Sequence, residues 1–388
     1  MNDTRIQRQI YLLALSGIRR LSDRFIRDLF EEESEDLLEN LFQGSQDPLF
    51  SHPHFKKRFS LEALKEIAAE LKDPETLSRA TSSYEEYQRM GLYLISFLDS
   101  DCPNGLRDIH PSFLFLFTKG NTQLLHESPS LSLVGTRKMT PYGERFLFDI
   151  ADQLAGHQVT LLGGIQTGVE LASLENALRQ KIAFVCVLPS AIDKPFPRGH
   201  VGYLDRILDA GGCVLSDCVP GTEARTYTFV SRNHILISLS EYVLLIESGP
   251  KGGALSIARL GLKHGKTVMS LPGNIQQTYS KGCNQLIKDS AILVDSAQDV
   301  LGIMDLMPPS STELQEEMIK KKHEEPSFPL SEEQQDILSC MRKEMQPVSL
   351  DKLVFLTSHP LSSLKFSVME LEMTRVLRAL PGNLYELV

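Results

Sequence analysis

The chain has 388 residues, of which 42% are hydrophobic and 23% charged, a globular composition that excludes wholesale disorder, collagen-like repeats and a membrane bundle. That length is enough for two to three domains. The net charge of −10 opposes a general attraction to nucleic acid or anionic membranes. The acid is concentrated in the flanks: residues 131–300 hold 16 Lys and Arg against 15 Asp and Glu, and the remainder 24 against 35. A near-neutral middle can still present a basic mouth.

Met1-Asn2-Asp3-Thr4-Arg5 leads into an apolar stretch broken by Arg8 and Gln9, so no signal peptide is expected. No run reaches the roughly 18 apolar residues of a spanning helix. Cys102, Cys186, Cys213, Cys218, Cys283 and Cys340 form neither C-x-x-C nor zinc-finger spacing. They read as structural thiols in a reducing cytoplasm, and no metal or cofactor is expected.

Residues 1–82 read as a helical domain. Ile10, Leu13, Ala14 and Gly17 share one helical face, and Leu21, Phe25, Ile26 and Leu29 follow with Ser22 as candidate N-cap. The turn at Ser16-Gly17-Ile18 suggests a helix-hairpin-helix, but Arg19 and Arg20 stand where a second glycine is wanted. A packing bundle is favoured. Tyr93–Phe97 and Leu114–Phe117 read as strands, the second ending at Lys119-Gly120.

From 131 onward β and α alternate. Strands are expected at Leu131–Val134, Val159–Leu162, Ala183–Leu188, Cys213–Ser216, Tyr242–Ile246, Thr267–Leu271 and Ile292–Val294. Helices are expected between them at Arg145–Ala155, Leu171–Leu178 and Ala254–Leu262. Short apolar strands separated by helices imply a mainly parallel, doubly wound sheet covered on both faces, which binds ligands beyond its carboxyl edge. This Rossmann-like α/β domain is assigned to 83–302. Residues 303–330, with Pro308-Pro309 and Lys320-Lys321-Lys322, read as a linker. Residues 331–388 read as a winged helix: helices Glu332–Met341, Leu350–Leu356 and Leu364–Leu377, then two strands around Pro381-Gly382-Asn383.

The chemistry should lie in the loops after the strands. Val134-Gly135-Thr136-Arg137-Lys138 leads into a helix, so a glycine turn, a helix N-terminus and a guanidinium fork together suit a phosphate. Gly163-Gly164 opens a second such turn. Further loops supply Asp193–Arg198, Arg232-Asn233-His234, Lys251-Gly252-Gly253 and Pro272-Gly273-Asn274. Lys251 reads equally as a phosphate contact or a solvated lysine. Neither G-x-G-x-x-G nor a Walker A order is present, and Ser216, Asp217 and His234 lack a nucleophile elbow. Glu170 sits at a helix start, where the dipole alone favours an acid. The pattern points to binding phosphates and not to bond breaking, with no catalytic residue assigned.

Taken in series these loops resemble the DNA-processing protein A family. Its Val-Gly-Ser/Thr-Arg and Thr-x-Tyr-Gly motifs are matched by Val134–Arg137 and Thr140–Gly143, its Tyr-Pro by Phe196-Pro197, and its Arg-Asn-Arg by Arg232–His234. Pro272–Asn274 and Gly282–Ile287 complete the series, with Cys102–Leu106 and Leu116–Gly120 upstream. The resemblance implies an extended Rossmann-like domain between an N-terminal helical domain, SAM-like or helix-hairpin-helix-like, and a C-terminal winged helix. It implies a non-enzymatic homodimer that binds single-stranded DNA during natural transformation and loads the RecA recombinase, with no membrane partner. The DNA-binding residues it implies are Gly135, Thr136, Arg137, Lys138, Gly163, Gly164, Arg198, Arg232, Asn233, Lys251, Gly252 and Gly253. Departures fall at Gln166, Glu170, Ser173 and Leu174, where the family has Ala, Asp, Ala and His, and at Gly252–Ala258, which loses two hydroxyls. Two other readings are a nucleotide-cleaving hydrolase of the lysine-decarboxylase-like superfamily and a protein-interaction scaffold. The hydrolase motif Pro-Gly-Gly-x-Gly-Thr-x-x-Glu is missing here.

Overall fold

The computed structural model describes residues 2–32, 36–43, 47–109, 112–306, 331–344, 348–357, 359–373, 377–380 and 384–387. The chain divides into two compact units, Met1–Met307 and Pro308–Val388. None of the described helices is long and apolar enough to cross a membrane.

The first unit is built on a nine-stranded sheet: β1 Tyr93–Ser96, β2 Phe115–Gly120, β3 Ser130–Val134, β4 Thr160–Gly163, β5 Ala183–Val187, β6 Cys213–Ser216, β7 Tyr242–Leu245, β8 Thr267–Ser270 and β9 Ile292–Leu293. Each end lies within one residue of its expected place. The spatial order is β1-β2-β6-β5-β4-β3-β7-β8-β9. β2 runs antiparallel to β1 and β6, and every other pair is parallel.

The central strands are apolar throughout because both faces are covered. Phe184 and Cys186 of β5 enter one core, while Val185 and Val187 enter the other. Leu244 and Val243 of β7 divide in the same way, following the two-residue period of a strand. Helices Pro141–Leu154, Val169–Gln180, Gly202–Asp209 and Ala297–Ile303 cover one face. Helices Thr226–Leu239 and Gly253–Lys263 cover the other, in a core shared with the N-terminal helices.

Those N-terminal helices begin with Asn2–Ser16 and Asp23–Glu32 and end with Pro74–Arg89. Ser22 caps the second through a bond from the Phe25 amide at 3.2 Å. Ile10 to Leu15 are all buried, so the first helix is enclosed well beyond the single expected face. Polar anchors join it to the sheet. Gln9 Nε2 donates to Asp99 at 2.7 Å and to the Leu94 carbonyl at 2.9 Å, and Arg5 pairs with Asp99 at 3.2 Å. Arg27, 2% exposed, donates to the carbonyls of Arg107 and Phe113 and lies over the Phe97 ring at 5.0 Å. Arg20, in the candidate hairpin, pairs with Glu66.

Five cysteines are buried and Cys340 is half-buried. Burial pushes the Cys186, Cys213 and Cys218 thiols up to about 12. In the unfolded chain such thiols ionise near pH 8.5. The unfolded state therefore releases protons that the native state retains, and stability should fall as pH rises from about 9 toward 12. Denaturant midpoints at pH 7.5 and 10 measure this, and Cys186→Ala should reduce the difference.

In the second unit helices Glu332–Glu344, Leu350–Thr357 and Leu361–Met373 pack with a sheet of β10 Val348–Ser349, β11 Leu377–Leu380 and β12 Leu384–Leu387. Ser331 and Gln334 form a reciprocal cap, each amide donating to the other's side chain. The third helix ends earlier than expected. Leu377 belongs to β11, opposite Leu387, and is buried in the core from the hairpin side. The expected linker at 303–330 begins too early: Ile303 ends helix Ala297–Ile303 and Met304 is buried in the sheet core, while 307–330 and the turn at 381–383 lie outside the described residues.

Candidate nucleic-acid interface

The chain leaves β3 for β4 on one side and later returns to place β7 on the other. This reversal opens a crevice at the carboxyl edge, where ligands of doubly wound sheets bind. A cleft of about 570 Å³ lies there. Its walls are Gly135–Lys138 after β3, Gln166, Thr167 and Glu170 after β4, Phe229, Arg232 and Asn233 from helix Thr226–Leu239, and Ser248, Gly249 and Gly252–Ala254 after β7, with Ile257 and Tyr279.

The first two turns are locked together. The Thr136 amide donates to the Glu247 carbonyl at 2.7 Å, and the Val169 amide donates to the Thr136 carbonyl at 3.2 Å. Thr136 Oγ1 accepts from the Lys138 amide at 3.1 Å. A Cβ on Gly135 would lie 2.4 Å from Val169 Cγ2. Gly168, at φ +83°, would place a Cβ 2.3 Å from the Thr136 carbonyl oxygen. Glycine is required at both positions by this close approach.

The helix start after β3 is not open to a phosphate. Glu247, buried at 2% exposure, accepts from the Thr140 amide at 2.8 Å and from Thr140 Oγ1 at 2.5 Å. Its carboxylate is the anion at the head of helix Pro141–Leu154. The open helix end is instead that of Gly253–Lys263, whose N-cap Gly252 offers no side-chain bond. Gly252, Gly253 and Ala254 face the cleft. A Cβ on Gly252 would lie 2.4 Å from Ser248 Oγ, so Ser248 fills this space and keeps one hydroxyl on the wall.

Two of the expected basic residues are placed differently from the sequence reading. Arg232 is buried, its guanidinium donating to both Glu170 carboxylate oxygens at 3.0 Å and to the Val187 carbonyl at 3.0 Å. It reaches the cleft wall as half of an internal ion pair. Arg198 does not join it: its side chain is 88% exposed and 3.8 Å from Glu223. Gly163 and Gly164 lie behind the cleft, where a Cβ on Gly164 would meet Glu170 Oε2 at 2.4 Å and Arg232 Nη2 at 2.5 Å. Lys251 is exposed and outside the lining.

Arg137 and Lys138 are exposed at the mouth. The Arg137 guanidinium lies 5.9 Å from the centroid of the Phe229 ring, which packs edge-on against Phe196 at 6.0 Å. Sequence reasoning missed Phe229 and Tyr279, and placed Gln166 and Ser248 in the candidate loops without assigning them to binding. Phe229 had a signal, standing one helical turn before Arg232. The cleft thus combines an aromatic wall, two exposed cations and a helix start without a side-chain cap.

Comparison with known proteins agrees with this architecture. Residues 93–305 match the family model for DNA recombination-mediator protein A, and residues 321–383 match the DprA winged helix domain. Protein Smf of Escherichia coli is 29% identical over 69% of this chain and 70% of its own. The DNA processing protein DprA of Streptococcus pneumoniae is 29% identical over 56% of this chain and 75% of its own. The X-ray structure of the Streptococcus pneumoniae protein superposes with a TM-score of 0.58 at 25% identity, covering 76% of this chain and 96% of that one. Since the first model alone takes in more than half of the residues, this chain belongs to the DNA recombination-mediator protein A family.

Proposed function

We propose that the cleft binds single-stranded DNA, and that the protein protects incoming strands in natural transformation and loads the RecA recombinase onto them. The observation that carries this is the pairing of exposed Arg137 and Lys138 with the uncapped start of helix Gly253–Lys263 across an aromatic wall. Cations and open amides take phosphates, and an aromatic face takes bases of any sequence. A duplex keeps its bases stacked inside and cannot use the aromatic wall. Binding without turnover is the corollary, because the carboxylates at the cleft are already engaged, Glu170 by Arg232 and Glu247 by Thr140. β9, whose Ile292 and Leu293 are 44% and 49% exposed at the sheet edge, is the surface on which a second copy would pair.

Titration of single-stranded and duplex oligonucleotides at matched salt tests the reading. Tighter binding of single strands, with a linear dependence on log salt, is expected. Equal affinity for both forms overturns it, and turnover of ATP or nucleoside monophosphates by pure protein would favour the hydrolase reading.

A further inference from the structure

Between residues 2 and 306 the most exposed described aromatic side chain is Tyr227, at 64%. The other exposed rings there are occupied. Tyr93 donates to Asp101 at 3.1 Å, Tyr142 donates to the Pro272 carbonyl at 2.8 Å, Phe148 lies under Arg179 at 4.2 Å, and Phe196 packs on Phe229. Among the described residues nothing engages the Tyr227 ring or hydroxyl. An unoccupied aromatic face on a fixed backbone costs little to use.

The backbone at Tyr227 is fixed. The Arg225 amide donates to Thr228 Oγ1 at 2.9 Å, and that hydroxyl donates back to the Arg225 carbonyl at 2.8 Å. Phe229, two residues on, already lines the cleft. Val230 is 54% exposed and Phe196 40%. Arg225 stands exposed beside Tyr227, and Arg198, countered by Glu223, lies on the neighbouring loop. Apolar faces interleaved with cations fit a nucleic-acid strand, whereas the centre of a protein interface is depleted of charge.

We infer that a single strand leaves the cleft across the first turn of helix Thr226–Leu239 and stacks a base on Tyr227. This rests on the single-strand reading of the cleft and fixes the side on which the strand emerges, toward β5 and β6. The chain contains no tryptophan, so Tyr227→Trp creates a single tryptophan reporter that can be excited selectively over tyrosine. Titrating that variant with unlabelled (dT)20 should quench its emission in step with binding followed by anisotropy of a labelled strand. Tyr227→Ala should weaken (dT)20 binding about tenfold and affect a four-nucleotide strand much less. Saturable anisotropy with unchanged Trp emission, and an alanine variant equal to the parent, overturns the stacking while the cleft reading stands. Absence of any anisotropy change removes the cleft reading, and the stacking with it.

Discussion

Arg137→Ala should lower affinity for single-stranded oligonucleotides roughly ten- to hundredfold, since a charge-assisted bond of this kind is worth about 1.5–3 kcal/mol. The side chain is exposed at the cleft mouth, with its guanidinium 5.9 Å from the centroid of the Phe229 ring. Its loss therefore leaves the fold intact, and unchanged denaturant midpoints would show that. Removing one phosphate contact should also reduce the slope of log affinity against log salt by roughly 0.7. Arg137→Lys should recover only part, because a point charge can neither reproduce the guanidinium fork nor lie flat over Phe229 in the same way. A folded alanine variant that binds like the parent would place the strand elsewhere.

Glu170→Ala should act on stability, by about 3–5 kcal/mol, because it leaves a buried guanidinium without its counter-ion. Arg232 is 4% exposed at its side chain and Glu170 13%, and their two parallel bonds are both 3.0 Å. A loss of this size lowers the melting temperature by many degrees and shows in urea unfolding. Arg232→Ala should be costly for the complementary reason. Any fall in DNA binding by that variant must be read against its folded fraction before it counts as a lost phosphate contact. A double replacement, Glu170→Leu with Arg232→Met, should be far milder than either single change, since an apolar pair of similar volume removes both buried charges together. If Glu170→Ala unfolds at the same urea concentration as the parent, the pair does not hold the cleft wall.

The strands were legible because a sheet buried on both faces writes itself as short apolar runs. β5 shows this directly, its Phe184-Val185-Cys186-Val187 feeding two cores in alternation. The location of the cleft was legible too, since glycine turns at the ends of β3 and β4 mark the carboxyl edge. What could not be read was which charges cancel. Arg232 meets Glu170 across 62 residues, and Glu247 meets Thr140 across 107. Neither spacing carries a local signal, so Glu170 looked like a simple helix-start acid and Arg232 like a free cation. Ser248, outside the 252–258 run, does place a hydroxyl on the same wall, but it donates to the Gly249 carbonyl at 3.1 Å.

The anchors of the first helices bear on how this protein can be dissected. A composition boundary near residue 82 invites removal of everything before it. Such a cut would leave Asp99 buried at the sheet margin without Arg5 and Gln9, and would take away Arg27, which threads between Arg107 and Phe113. It would also uncover Leu94 and Ile95 of β1, now 2% and 1% exposed, on an edge strand with unpaired backbone groups. An exposed apolar edge recruits other chains. A truncated sheet domain would therefore report on aggregation as much as on DNA, and point substitutions in the whole chain are the sounder instrument.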